Sequence, residues 1–301
     1  MKKLSGFAAI TLVVIFWGIS FVSISIILEV VHPVVLGFLR YVLAVIFVLI
    51  VAISKRMDFR ITKADFIAFF MAGFLGIFMY SSLENTSLLY ISSSAGAIFS
   101  SLTPMAMIIG NRLAFKESMR PRQLIYVMMS MAGVALVVAS DLTLTLSWQA
   151  MLGYGLMILA IVFWTIYSLL TKKITLKYDS LKVTTIQSIM ALFIFMPSLL
   201  IAPLPNFAEF TPNYWFHLLF LGIICSGVCY YLYVHAVDTL GLTIPNIFIN
   251  FIPLITIITN AIMLQSAINI YQILGGVLII ITMSLLTIDN YLSRSKEKSV
   301  A

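Results

Sequence analysis

Phe16-Trp17-Gly18-Ile19-Ser20 lies in the middle of an apolar run, and it returns as Phe163-Trp164-Thr165-Ile166-Tyr167. Trp17 and Trp164 stand 147 positions apart, and the same offset carries Arg40 onto Gln187. Pro104 maps to Pro253 and Gln123 to Gln272, both at an offset of 149. Shared spacing is a stronger signal than any dipeptide match, so these pairs mark a duplicated half-chain. The division falls between residues 1–145 and 146–301.

Composition says what the halves are. The 301-residue chain is 62% hydrophobic and 10% charged, with mean hydropathy +1.11. Soluble domains carry about 25% charged residues, so this reads as an all-α integral membrane protein with little soluble mass. Lys2 and Lys3 precede an apolar run that starts near Leu4. The run is too long for a signal peptide and no small-residue cleavage site interrupts it, so it reads as a first span. A span takes about 20 mainly apolar residues. Ten stretches qualify: Ser5–Leu28, Val34–Ser54, Phe66–Asn85, Ser92–Asn111, Leu124–Ser140, Met151–Leu170, Val183–Ala202, Tyr214–Val237, Thr243–Leu264 and Tyr271–Ile288. The gaps between them are too short to hold a separate domain.

Basic residues orient the spans. With the N-terminus in the cytoplasm, that side holds Lys2, Lys3, Lys55, Arg56, Arg60, Lys63, Arg112, Lys116, Arg120, Arg122, Lys172, Lys173, Lys177, Lys182, Arg294, Lys296 and Lys298, 17 of the 18 bases. The outer gaps carry Glu29, Glu84, Asp141 and Glu209 instead. The expectation is a multi-pass protein of the cell membrane with both termini cytoplasmic. The net charge of +7 is then a topology signal facing anionic lipid, and it gives no reason to invoke nucleic acid. Five spans per half is an odd number, so the second half enters the membrane from the opposite side. That makes an inverted repeat, the architecture of secondary transporters, with the substrate site near the midplane between the halves.

A few residues stand out against the apolar background. Arg40 is the one base inside a span, where insertion costs about 2.5–3.5 kcal/mol. It reads as an anchor for a substrate carboxylate or part of an outer gate. The plainer alternative is a structural arginine bonded to helix-end carbonyls or to Glu84, or one snorkelling outward. Glu84 has the same two sides: partner of Arg40, of a substrate ammonium or of a proton, against a solvated helix-end carboxylate. Trp17 and Trp164 each lie about 13 residues into a span, which at about 1.5 Å per residue is near the centre of a roughly 30 Å core. They are expected to wall a mostly apolar midplane pocket with Tyr80 and Tyr167 at its edges; plain helix packing is the alternative. Asn246 and Asn250 are four apart on one helix face and costly in lipid, so they are placed inward, at the cytoplasmic mouth. There they bond substrate, or only a neighbouring helix. Cys225 and Cys229 read as packing residues, and His235 as structural more readily than as a proton relay. The sequence calls for no cofactor and no metal.

These residues, in their order, resemble the EamA-type branch of the drug/metabolite transporter superfamily. The likeness rests on Phe16-Trp17-Gly18, Pro33, Arg40, Asn85, Pro104 and the stretch from Glu117 to Gln123, then Phe163-Trp164, Pro253 and Gln272. It covers essentially the whole chain. It implies a ten-helix exporter of amino acids or other small metabolites that works by alternating access. Two positions depart from it: Ser266 stands where an echo of Glu117 is expected, and Gln187 where an echo of Arg40 is. A nucleotide-sugar or phosphosugar antiporter is the rival, but it calls for several bases in the cavity. A membrane enzyme calls for an acidic, histidine or cysteine cluster, and the spans hold none.

Overall fold

Residues 2–115, 121–142, 147–200, 202, 204–265 and 269–300 are described by a computed structural model, and every regular element among them is helical. Glu117 and Ser266 lie outside the described residues, as do the side chains of Gln123 and Asp141. The first half consists of α1 (Lys2–Ile27), α2 (Pro33–Ser54), α3 (Lys63–Ser87), α4 (Ser93–Ser100, resuming at Thr103–Phe115) and α5 (Pro121–Leu142). The second consists of α6 (Trp148–Thr175), α7 (Ser180–Phe195), α8 (Pro212–Leu240), α9 (Thr243–Ile249, resuming at Ile252–Met263) and α10 (Ile270–Val300). Among the described residues nine helices are long and apolar enough to cross a membrane, and Leu124–Val137 in α5 is a shorter apolar stretch. The 22 residues of α5 still reach about 33 Å at about 1.5 Å each.

Helix starts are legible in the side chains. Thr62, Ser92, Ser147, Asp179 and Thr211 each accept a hydrogen bond from the backbone N–H three residues on, satisfying a donor that the first turn leaves free. Pro33 opens α2 at a position where its missing N–H costs nothing. One end differs from expectation. α10 continues to Val300, well past Ile288, because nothing after Gly276 is a glycine or proline that would stop it.

Two irregularities occur twice, one repeat apart. α4 breaks at Ser101–Leu102 and α9 at Asn250–Phe251. Pro104 and Pro253 follow the breaks; each lacks an N–H and crowds the carbonyl four residues back, on Ser100 and Ile249. Thr103 Oγ1 donates to the freed Ser100 carbonyl at 2.7 Å. The second irregularity is a widened, π-helical turn, Ala72–Met79 in α3 and Phe220–Val228 in α8. Each contains a glycine at a close crossing. A Cβ on Gly73 would meet Met190 Cβ at 3.1 Å, and one on Gly222 would meet Leu43 Cβ at 2.6 Å. Gly73 and Gly222 are 149 apart, and Leu43 and Met190 are 147 apart. The α3–α7 and α8–α2 crossings are therefore one contact made twice.

α5 and α10 pack along each other at one side of the bundle. Of the other helices, α1, α2, α3, α4, α6, α8 and α9 line a central space. One end of the bundle carries Lys55, Arg56, Arg60, Lys172, Lys173 and Lys177, and the other carries Glu29 and Glu209. They are called the basic and the acidic end below.

Candidate functional site

The space between the halves is a cavity whose empty volume, open solvent included, is about 560 Å3. Helical spacing delivers its wall. On α1, Trp17, Ser20 and Phe21 fall on one face, three and four residues apart. On α6, Met157, Ile161 and Trp164 repeat that pattern from the other half. α3 presents Tyr80 and Glu84, α2 presents Arg40, and α8 presents Tyr230. The broken helices close the remainder with Ser100 and Thr103 from α4 and Ile249 and Ile252 from α9, residues beside the two breaks.

The tryptophans meet across the pseudo-axis edge to face, with ring centres 5.3 Å apart and planes at 84°. Tyr80 lies 5.0 Å from Trp164, and Tyr230 lies 5.7 Å from Trp17. Edge-to-face geometry sets the positive rim of one ring against the negative face of the next, so the cluster holds its shape. Trp17 Nε1 donates to the Cys225 carbonyl at 3.1 Å, inside the widened turn of α8. That bond fixes the indole while leaving its face on the cavity.

Two ionisable groups share this apolar space. Arg40 is 4% exposed, and its Nε donates to Ser226 Oγ at 3.0 Å. Its Nη1 has no hydrogen-bond partner among the described residues. Snorkelling outward does not describe it, because it is buried and bonded inward. Glu84 is 5% exposed and accepts a short hydrogen bond from Tyr80 OH. The expected solvated helix-end carboxylate is therefore not found: α3 runs on to Ser87 and keeps Glu84 inside the bundle. No ion pair joins Arg40 to Glu84 among the described residues. Burying both charges costs several kcal/mol unless partners are supplied, and the protein supplies only some of them. Neighbouring Asn85 donates to the Pro33 carbonyl at 3.0 Å and so ties α3 to the start of α2.

Three expected residues lie off the cavity. Tyr167 is fully buried behind Trp164, its ring 5.1 Å away, and its OH donates to Gln187 Oε1 at 3.2 Å. Gly76 of α3 makes room for that ring. Asn246 turns to α4, its Nδ2 lying 2.7 Å from Met107 Sδ, and the same nitrogen donates back to the Leu242 carbonyl, four residues earlier, at 2.6 Å. Asn250 turns to α10, its Nδ2 lying 3.4 Å from Ser284 Oγ. The break in α9 presents isoleucines to the cavity and sends the amides outward to helix contacts. Ser20, Phe21 and Ile161 were not foreseen as lining residues; their spacing from Trp17 and Trp164 was the available signal.

The repeat places Gln187 opposite Arg40 and Tyr233 opposite Glu84. Both are buried on the basic side of the tryptophans. Gln187 Nε2 donates to Thr171 Oγ1 at 3.2 Å, and the Tyr233 and Ser168 hydroxyls are 2.8 Å apart. One half of the centre is thus ionic and open, and its counterpart is neutral and packed shut.

Comparison with known proteins agrees with this architecture. An uncharacterised transporter of Archaeoglobus fulgidus is 25% identical over 271 residues, covering 90% of this chain and 93% of its own. One of Bacillus subtilis is 23% identical over 240 residues, 79% of this chain and 78% of its own. A solved crystal structure superposes with TM-score 0.67 at 15% identity, over 95% of this chain and 97% of that one, and so shares the fold. The model of the EamA-like transporter family matches residues 4–139 and 151–288. With both halves matched, the chain is a membrane transporter belonging to the EamA-like transporter family.

Proposed function

We propose that the protein is a secondary transporter, not an enzyme, that exports a small zwitterionic metabolite with an apolar side chain, and that the central cavity is its substrate site. The carrying observation is the pair Arg40 and Glu84, buried in one aromatic-walled cavity and unpaired with each other. The free Nη1 suits a carboxylate, and Glu84 suits an ammonium. Charge-assisted hydrogen bonds of this kind contribute about 1.5–3 kcal/mol each. Trp17, Trp164, Tyr80 and Tyr230 then take the apolar part. A polyanion fits poorly, since Arg40 is the one base lining the cavity among the described residues. Access alternates between the two ends as the inverted halves exchange packings. The basic end faces the cytoplasm of the cell membrane, with both termini inside.

The test is thermal stabilisation of the purified protein by apolar amino acids, by their N-acetyl and amide derivatives, and by sugar phosphates. The zwitterions should stabilise it, and each derivative, lacking one charge, should not. Arg40→Ala should abolish the effect, and Arg40→Lys should restore part of it, since lysine lacks the planar fork. Stabilisation by sugar phosphates but by no zwitterion would overturn the reading.

A further inference from the structure

The two ends of the bundle are fastened by the same contact, made twice. At the basic end, Asp65 at the start of α3 accepts from Lys177 Nζ at 2.6 Å and from Tyr178 OH at 2.9 Å. Both donors lie in the α6–α7 turn of the other half. Thr62, which caps α3, adds a bond from its Oγ1 to the same carboxylate at 2.7 Å. At the acidic end, Tyr214 OH, at the start of α8, donates to Glu29 Oε2 at 2.9 Å in the α1–α2 turn. Thr211 caps α8 as Thr62 caps α3. Tyr214 is the repeat counterpart of Asp65, at an offset of 149; Thr211 is that of Thr62, at the same offset. The counterpart of the Lys177–Tyr178 turn, at an offset of 147, is Val30–Val31, directly after Glu29. Donor and acceptor have exchanged sides, but the crossing is the same: one half's third helix is held by the other half's first interhelical turn.

From this correspondence we propose that Asp65–Lys177/Tyr178 and Glu29–Tyr214 are paired latches, each closing one end of the cavity route, and that they open alternately. The proposal rests on the alternating-access reading above. Each latch joins the first half to the second at one end of the bundle, so rocking one half against the other must break it at the end that opens. The bonds within a half, such as Asn85 to Pro33, need not break. The carboxylate of Asp65 also raises the affinity of the Lys177 ammonium for its proton, as a direct ionic contact does.

The experiment uses purified protein with Cys225→Ala and Cys229→Ala, and one reporter cysteine at a time. Ser168→Cys lies on the basic side of the tryptophans, and Ser20→Cys lines the cavity on the other side. The probe is a small charged methanethiosulfonate, followed by intact mass. Lys177→Gln should speed modification at Ser168→Cys by roughly twofold to fivefold, the range for loss of an exposed ion pair, and slow it at Ser20→Cys. Tyr214→Phe should do the reverse. Lys177 is exposed, so its replacement leaves the packed bundle alone, and Lys177→Arg, which keeps the charge, should return both rates to the parent values. Unchanged rates at both reporters in both latch variants would overturn the latches and leave the carrier reading standing. A rise at both reporters in one variant would overturn alternation, and the latches with it.

Discussion

Replacing Gly76 with alanine would put a Cβ 2.1 Å from Tyr167 Cγ and 2.2 Å from Tyr167 Cβ. Carbon atoms in good contact sit about 3.5–4.0 Å apart, so the shortfall exceeds an ångström. Because the clash includes Tyr167 Cβ, no rotation of the ring relieves it; α3 and α6 have to separate. Overpacking of this kind costs about 1–3 kcal/mol, and a clash so near the backbone belongs at the upper end. Alanine recovers about 0.5–1 kcal/mol of helix propensity, which leaves a net loss of about 2 kcal/mol. For a chain of this size that corresponds to a fall in Tm of about 4–8 °C, measured by scanning fluorimetry in detergent. Gly155→Ala is the control. It lies on α6 with nothing within 4 Å of its Cβ, so only the propensity gain remains and Tm should hold or rise slightly. Adding Tyr167→Gly to Gly76→Ala should cost less than the two changes summed, because glycine at 167 deletes the ring and the Cβ that clash. Substrate binding should weaken as well, since Tyr167 backs Trp164. A Gly76→Ala protein that melts with the Gly155→Ala protein would refute the close crossing.

Thr103→Val keeps the shape but deletes the hydroxyl that covers the Ser100 carbonyl at the α4 break; a stability loss of about 1 kcal/mol is expected from chemical denaturation. Asn246→Leu should lower Tm with no change in substrate Kd, because its amide serves α4 and not the cavity; a large change in Kd at unchanged stability would return Asn246 to the site. Single cysteines at Glu29 and Glu209 should react with an impermeant thiol reagent on intact cells, and one at Lys55 should not; the opposite pattern would invert the assigned topology.

The hydrophobic count and the spacing of Trp17 and Trp164 were enough to read the helices and the doubling, because lipid leaves few alternatives to a run of about 20 apolar residues. Position along each helix was legible too, since rise per residue fixes how far from a helix end a side chain sits. Rotation about the helix axis was not. The side chains of Asn246 and Asn250 meet α4 and α10 instead of the cavity, on the stretch between Pro245 and Pro253 where α9 breaks. Tyr167 differs in the same way: it is the counterpart of Ser20 at an offset of 147, yet it packs behind Trp164 because Gly76 offers its ring a slot. Met157, Ile249 and Ile252 line the cavity but look like any lipid-facing aliphatic residue in the sequence. The widened turns of α3 and α8 have no proline or cap to announce them.

The unequal pair of counterparts, Arg40 with Glu84 against Gln187 with Tyr233, bears on kinetics. Two identical halves would make a carrier whose faces are indistinguishable. On the proposed function a ligand meets full charges on one side of the tryptophans and only neutral hydroxyls and an amide on the other. Such a carrier half-saturates at different concentrations from its two faces. Detailed balance then requires that, for downhill movement, maximal rate divided by half-saturation be equal in both directions. The face that binds more weakly must turn over faster when saturated, so the asymmetry grants no net direction; gradients decide that, and the residues decide only how concentrated each compartment must be before the carrier responds.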